Sequence, residues 1–165
     1  MNEESSKVMA LLAEIPDPEI PVISIVELGI VRNVSVQGSR VEVTITPTYS
    51  GCPAMDHISD NIQKTLQSSG YKDIAIEMTY SPAWSTDWIS DQAKQKLKEY
   101  GIAPPGSARN DEDSLVVFPK KPRVLACPFC ESSNTKLTSE FGSTACKALW
   151  YCNSCQQPFE EFKAI

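Results

Sequence analysis

Four cysteines near the carboxyl end form two C-x-x-C pairs, and their spacing predicts a metal site. The pairs read C-P-F-C and C-N-S-C, are separated by twenty-one residues, and supply Cys127, Cys130, Cys152 and Cys155. Each pair places two thiolates on one tight turn, and two such turns complete a tetrahedral set of sulfur ligands. We interpret the four cysteines as zinc ligands. The alternatives are two disulfides, a redox-active C-x-x-C pair and a rubredoxin-like iron site.

The segment that carries these cysteines, residues 124–165, is short enough to need a metal for folding. At about forty residues it lies at the length below which a hydrophobic core alone rarely suffices. Zinc would then supply much of the folding free energy. The sequence therefore predicts a small C-terminal zinc ribbon.

Cys146 is an additional cysteine in the same segment, six residues before Cys152 in the run F-G-S-T-A-C. A buried packing residue is the simpler interpretation, because cysteine packs well in cores. The alternative is a functional thiol, or a ligand shared with an iron–sulfur cluster during transfer.

A sixth cysteine, Cys52, lies in T-P-T-Y-S-G-C-P-A (46–54), between a predicted strand and a predicted helix. Gly51 allows a tight turn that leaves Cys52 at the helix N-terminus. Free N–H groups and the helix dipole favour a thiolate there, so we expect a lowered Cys52 pKa and faster alkylation than at Cys146. A structural cysteine packed under the turn is the alternative. His57 does not share a helix face with Cys52, so no Cys–His pair is predicted.

Two carboxylates stand in the proline-rich segment I-P-D-P-E-I-P, residues 15–21. Its three prolines fix the backbone and display Asp17 and Glu19 on a rigid, non-helical loop. Their negative charges would raise the pKa of Cys52 if they lay near it. The alternative interpretation is a solvated turn that ends a helix.

The apolar pattern predicts the elements that position these groups. Residues 1–103 read as α-β-β-α-β-α, and amphipathic helices need a sheet face to cover, so we predict a two-layer α+β domain. A polar linker is predicted over 104–123, before the ribbon. We predict that Ser5 or Ser6 caps the first helix and that a hairpin turns at residues 37–39. A second helix is predicted to start near Pro53. A third helix is predicted to be capped by Ser90 and to carry Tyr100 on its apolar face.

Charge excludes some classes of partner. The net charge is −6, which argues against nucleic acid and against an anionic membrane surface. The ribbon segment adds no basic surface, since it contains three lysines and four glutamates. No apolar stretch is long enough to span a membrane, and the N-terminus does not read as a signal peptide, so we expect a cytoplasmic protein.

Several motifs in order resemble the SufT-like iron–sulfur assembly domain. These are D-P-E-I-P-V-I-S-I-V-E-L-G-I-V (17–31), T-P-T-Y-S-G-C-P-A (46–54) and S-P-A-W-S-T-D-W (81–88). Together with G-I-A-P-P (101–105), F-G-S-T-A-C-K-A (141–148) and the two C-x-x-C pairs, they give the whole chain a resemblance to the PaaD family, also called PaaJ, of bacterial phenylacetate degradation.

This resemblance implies an accessory protein rather than an enzyme. Its expected partner is the multicomponent phenylacetyl-CoA epoxidase, which has a di-iron oxygenase subunit and a reductase carrying flavin and a two-iron, two-sulfide cluster. The expected role is maturation by delivery of iron or an iron–sulfur cluster to one of these subunits. The resemblance assigns this transfer to Cys52, with Asp17 and Glu19 lining the same pocket, and it leaves Cys146 without a settled role.

The cofactors implied are zinc and a transient iron–sulfur cluster. A non-catalytic structural subunit of the epoxidase is the alternative function, and a homo-oligomer is an open alternative for the assembly. A nucleic-acid-binding ribbon is disfavoured by the net charge. A thiol enzyme that uses Cys52 is disfavoured because the sequence offers no evident base.

Overall fold

The computed structural model describes residues 3–105 and 124–164, which group into two compact units. The first unit comprises residues 3–84 and 88–93, and the second comprises 85–87, 94–105 and 124–164. None of the helices described in these ranges is long and apolar enough to cross a membrane. The helices are α1 (Glu3–Ala13), α2 (Ala54–Ser68) and α3 (Asp91–Glu99), with a 3₁₀ helix at Thr86–Trp88. The strands are β1 (Val31–Gln37), β2 (Arg40–Ile45), β3 (Asp73–Met78), β4 (Ile102–Ala103), β5 (Thr135–Ser139), β6 (Lys147–Cys152) and β7 (Pro158–Phe162).

The first unit is a layer of helices on a three-stranded sheet of order β1-β2-β3. Strands β1 and β2 form an antiparallel hairpin, and α2 carries the chain across so that β3 pairs parallel to β2. The core joins apolar side chains of α1 and α2 to the covered face of β2. It includes Val8, Leu12, Ile58, Ile62, Leu66, Val41, Val43 and Ile45, each at most 1% exposed. The predicted α+β class and element order are therefore confirmed.

Two of the predicted helix boundaries are wrong. Helix α1 already includes Glu3, so Ser5 and Ser6 lie inside it and do not cap it. Its first turn carries Glu3 and Glu4, whose negative charges interact favourably with the helix dipole. At the other end of the domain, Tyr100 lies beyond α3 and is 53% exposed, so it is not part of an apolar face.

The caps of the other two helices agree with the sequence. Helix α2 starts directly after Pro53, whose φ of −70° is already helical. The hydroxyl of Ser90 accepts a hydrogen bond from the N–H of Ala93 at 3.1 Å, which caps α3 as predicted. These two helix starts follow from local chemistry, namely the fixed φ of proline and the acceptor of a serine cap.

The second unit is built on a four-stranded sheet of order β4-β7-β6-β5. Strands β5, β6 and β7 are antiparallel neighbours, and the two-residue strand β4 adds to β7 in parallel. Its core holds Trp150 stacked on Phe159, with ring centroids 6.5 Å apart, beside buried Ala103 and Ala148. The sequence predicts that the first domain ends at residue 103, whereas in the structure residues 94–103 belong to the second compact unit. Most of the predicted linker, residues 106–123, lies outside the described residues.

Candidate metal centre and reactive thiol

The four cysteines of the two C-x-x-C pairs converge on one point. Their Sγ atoms all lie within 4.8 Å of one another. The cross-pair distances are 3.7 Å from Cys127 to Cys155 and 3.6 Å from Cys130 to Cys152. Four sulfurs tetrahedrally placed about 2.3 Å from one ion are separated by about 3.8 Å. The donor set therefore fits a tetrahedral metal ion. None of the six cysteines is joined in a disulfide.

Each cysteine pair lies on a turn that directs backbone N–H groups at sulfur. After Cys130, Glu131 adopts the left-handed region with φ 61°, and the N–H of Ser132 points to Cys130 Sγ. The N–H of Cys127 donates to the carbonyl of Ser132 at 3.0 Å and closes the turn. The second pair repeats each feature, with Gln156 at φ 59°, the N–H of Gln157 on Cys155 Sγ, and the N–H of Cys152 on the Gln157 carbonyl at 2.9 Å.

Hydrogen bonds and burial together divide the thiols by their ease of ionisation. The N–H of Cys155 donates to Cys152 Sγ and, despite burial, lowers the pKa of Cys152 to about 7. Burial raises the pKa of Cys155 to about 12. Four sulfurs this close cannot all carry charge without a counter-ion, and a bound divalent ion deprotonates the thiols that coordinate it. The cluster is thus arranged as a metal site rather than as a set of independent thiols.

Cys146 lies apart from this cluster. It is 3% exposed, and its Sγ is 3.1 Å from the hydroxyl of Thr144. Among the described residues, only the four cysteines of the two pairs gather closely enough to hold a metal ion as three or more ligating side chains. The position of Cys146 therefore agrees with the packing interpretation.

Cys52 lies on the loop between β2 and α2, two residues before the first residue of α2. Its N–H donates to the carbonyl of Tyr49 at 3.3 Å, and Gly51 stands at the third position of this four-residue turn with φ 80°. A positive φ at that position is characteristic of a type II turn and favours glycine. The N–H of Ala54 then donates to Cys52 Sγ, which is half-buried. The turn belongs to the loop that follows the carboxyl end of β2, and such loops are a usual location for ligand sites in sheets with parallel strands.

The expected lowering of the Cys52 pKa is wrong. Burial raises the pKa of Cys52, and the charges of Glu19 and Asp17 raise it further. Hydrogen bonds from the Ala54 N–H and the Tyr49 side chain act in the opposite direction but do not prevail. The helix N-terminus is present as predicted, but the sequence pattern does not reveal how far the turn buries the sulfur.

Asp17 and Glu19 differ in their surroundings. Asp17 is 5% exposed, and its Oδ1 accepts the N–H groups of Glu19 and Ile20, each at 2.9 Å. This carboxylate therefore shapes the proline-rich turn as well as adding charge near Cys52. Glu19 is half-buried on the same turn. Both charges act on the Cys52 sulfur, although the three side chains do not gather as a metal cluster among the described residues.

Comparison with known proteins matches both parts of the chain. A family described as an iron–sulfur cluster assembly protein matches residues 5–78, and the PaaD zinc β-ribbon domain matches residues 112–163. A protein of Escherichia coli K12, named as a subunit of a putative 1,2-phenylacetyl-CoA epoxidase, is 45% identical over 159 residues. That alignment covers 96% of this chain and 92% of the relative.

The chain belongs to the PaaD family.

Two further relatives match only part of this PaaD-family chain. An Fe-S protein maturation auxiliary factor of Porphyromonas gingivalis is 36% identical over 92 residues, covering 54% of this chain and 87% of the relative. The crystal structure of a domain of unknown function, DUF59, from Bacillus anthracis has a TM-score of 0.54 at 30% identity, covering 56% of this chain and 90% of that one. Part of this PaaD-family chain thus shares its fold with the DUF59 domain.

Sequence reasoning gave no role to Tyr49, whose side chain hydrogen-bonds to Cys52 Sγ. The signal that could have found it is Y-S-G-C, because a glycine at the third position of a four-residue turn brings the first and fourth residues together.

Sequence reasoning also gave no role to Lys147 and Glu160. Their Nζ and Oε2 atoms pair at 3.0 Å with Lys147 almost fully buried, and the N–H of Ser143 donates to Glu160 Oε1 at 2.7 Å.

Proposed function

We propose that this PaaD-family protein is an accessory factor that delivers iron or an iron–sulfur cluster, as cargo, to a subunit of phenylacetyl-CoA epoxidase. One observation carries the proposal. Cys52 presents a half-buried sulfur on the turn between β2 and α2, where two hydrogen-bond donors and two carboxylate charges act on it. The relatives named as epoxidase subunit and as Fe-S maturation factors supply the class of client and cargo.

The ligand set around Cys52 suits transfer better than storage. Thiolates are the usual protein ligands of iron–sulfur clusters, and a complete site has four of them. Here Cys52 supplies one sulfur, and the charges of Asp17 and Glu19 act on it. An incomplete set leaves coordination positions for ligands of the client, so cargo can pass from one protein to the other by ligand exchange.

The ribbon has a separate part in this proposal. Cys127, Cys130, Cys152 and Cys155 would hold zinc as a resident ion that stabilises the second unit and takes no part in transfer. Four sulfurs that lie within 4.8 Å of one another form a closed site, which is the arrangement of structural zinc. Iron in the same site would be detected by its absorbance and by elemental analysis of the purified protein, so these two measurements distinguish iron from zinc.

The proposed partner is the reductase or the di-iron oxygenase subunit, and the proposed location is the cytoplasm, where thiols are kept reduced. The second candidate function is a non-catalytic structural subunit of the epoxidase. It is favoured by the name of the Escherichia coli relative, which calls that protein a subunit. A structural subunit would remain bound to the active epoxidase in fixed stoichiometry, whereas a delivery factor would act at substoichiometric amounts.

The proposal is tested by replacing the transfer thiol in cells that depend on the epoxidase. Cys52→Ser should leave the fold and one zinc per chain intact, yet abolish growth on phenylacetate. Cys146→Ala is the matched control, because it removes the other cysteine outside the cluster, and it should support growth. Normal growth of the Cys52→Ser cells would contradict the transfer role.

The purified protein gives a second test. We expect no oxygen consumption when the isolated chain receives phenylacetyl-CoA and a reductant, since the proposal assigns oxygen chemistry to the epoxidase subunits. Turnover by the isolated chain would overturn the accessory role. The outcome would favour the structural subunit instead if the reconstituted epoxidase required this protein in stoichiometric amounts and Cys52→Ser were as active as wild type.

A further inference from the structure

A second residue of the Cys52 turn carries an inference that rests on the proposed function. Tyr49 and Cys52 are the first and fourth residues of one turn, closed by the 3.3 Å hydrogen bond from the Cys52 N–H to the Tyr49 carbonyl. Within this turn the Tyr49 side chain also hydrogen-bonds to Cys52 Sγ. The hydroxyl is the only hydrogen-bonding group of a tyrosine side chain, and its contact lowers the pKa of Cys52, which is the effect of a donor to the thiolate.

We propose that Tyr49 is a positioning residue for transfer: its hydroxyl donates to Cys52 Sγ, fixes the position of the sulfur on the turn, and speeds release of the cargo. The backbone supplies the reason for its placement. Gly51, at φ 80°, allows the tight turn that brings Tyr49 and Cys52 together as its first and fourth residues. Tyr49 is half-buried, which limits competition from water for this bond.

The chemistry of release explains the effect on rate. In transfer, the bond between Cys52 Sγ and iron breaks as a bond between iron and a client thiolate forms, with no change of oxidation state. The client thiol gives up its proton on binding, and the departing Cys52 thiolate takes up a proton from solvent. Negative charge on Cys52 Sγ grows as the iron leaves, so a hydrogen bond to it becomes stronger along the step. Interactions that strengthen toward the transition state raise the rate.

Two donors act on the sulfur, and only one can be removed without altering the backbone. The N–H of Ala54 belongs to the first turn of α2, whereas the Tyr49 hydroxyl is deleted by Tyr49→Phe. Tyr71→Phe is the matched control. Its hydroxyl bonds to Glu4 Oε2 at 3.4 Å, and its N–H bonds to Leu66 at the far end of α2, about 20 Å along the helix from Cys52.

The experiment uses the full chain with zinc in the ribbon, loaded anaerobically with ferrous iron and sulfide. Iron release to a ferrous chelator is then timed for wild type, Tyr49→Phe, Tyr71→Phe and Cys52→Ser. We expect Tyr49→Phe to load as wild type does and to release iron about three- to tenfold more slowly, as the loss of a hydrogen bond to a charged sulfur predicts. Tyr71→Phe should match wild type.

A second readout does not depend on iron. The rate of Cys52 alkylation by iodoacetamide is measured against pH, and Tyr49→Phe should move the profile to higher pH while Tyr71→Phe leaves it in place. Unchanged release and an unchanged profile in Tyr49→Phe would overturn the role of Tyr49 alone. If Cys52→Ser loaded and released iron as wild type does, the proposed function itself would fail.

Discussion

At the scale of single residues, the surroundings of Cys52 decide its chemistry more than its place on the helix. A helix N-terminus contributes roughly 0.3–1 kcal/mol to a nearby anion when exposed. At Cys52 the larger effect is burial, and the carboxylates of Glu19 and Asp17 add to it. The sulfur is therefore held mainly as a thiol at neutral pH.

Replacing Glu19 by glutamine should lower the pKa of Cys52, because it removes a negative charge that raises that pKa. Alkylation of Cys52 by iodoacetamide at a fixed pH near 8 should then become about two- to fivefold faster. Exposed Glu14→Gln, in the same part of the chain, serves as the control. An alkylation rate equal to that of wild type would show that the Glu19 charge does not reach the sulfur.

The charge and the hydrogen bonds of Asp17 can be separated. Asp17→Asn keeps an oxygen that accepts the two N–H groups of the turn, whereas Asp17→Ala leaves both without that acceptor. We expect Asp17→Ala to lose about 1–3 kcal/mol of unfolding free energy and Asp17→Asn to lose less. Chemical denaturation measures both. Equal losses in the two variants would mean that charge, not hydrogen bonding, holds the turn.

At the scale of elements, β7 organises the loop that precedes β6. Glu160 of β7 pairs with Lys147 of β6 and also accepts the N–H of Ser143. The next residue, Glu161, is fully buried and accepts the indole N–H of Trp150 at 2.8 Å. Two successive carboxylates of one strand thus point to its two sides. One fixes the loop, and the other supports the tryptophan of the core.

The Glu160 contacts predict a pH-dependent stability. Burial alone raises the pKa of Glu160, but the Ser143 N–H and the Lys147 ammonium lower it below the usual 4.5. A lowered folded-state pKa gives stability that is present above 4.5 and is lost as pH falls through the lower folded value. Glu160→Gln should therefore cost about 1–3 kcal/mol at pH 7 and progressively less below pH 4.5.

Urea denaturation of wild type and Glu160→Gln, compared at each pH, provides the measurement. Loss of metal at low pH affects both proteins, so it largely cancels in their difference. Glu140→Gln is the control on an exposed side chain just before the loop. A difference between wild type and Glu160→Gln that stayed constant from pH 7 to pH 3 would contradict the assignment.

At the scale of the whole molecule, the sequence predicted those parts whose signals are local. Alternating or helical apolar spacing placed the helices and strands of the first domain, and the C-x-x-C spacing placed the metal cluster. The misplaced features depend on distant residues. Burial of Cys52 comes from tertiary packing, and β4 is only two residues long, so its pairing with β7 leaves no periodic pattern. The partners of Lys147 and Glu160 likewise lie on different strands.

Removal of the metal should unfold one unit and spare the other. Structural zinc contributes apparent binding free energies of about 10–16 kcal/mol, more than so small a unit can replace. In EDTA, hydrogen exchange should lose protection in β5–β7 and at Ile102 and Ala103, while β1–β3 stay protected. Cys127→Ser should give the same pattern without EDTA. Continued protection of β6 and β7 in metal-free protein would show that the core, not the metal, holds the unit.

The pairing of β4 with β7 has a consequence for how such chains can be cut and joined. The ribbon begins, by its cysteines, near residue 124, but its sheet already includes Ile102 and Ala103 from before the undescribed stretch. A graft that started at residue 124 would leave one edge of β7 without its partner strand, and an unpaired strand edge can pair with other chains. The transferable piece of this protein therefore starts upstream, within α3. A fusion protein whose boundary was chosen from the cysteine motif alone would contain an incomplete sheet.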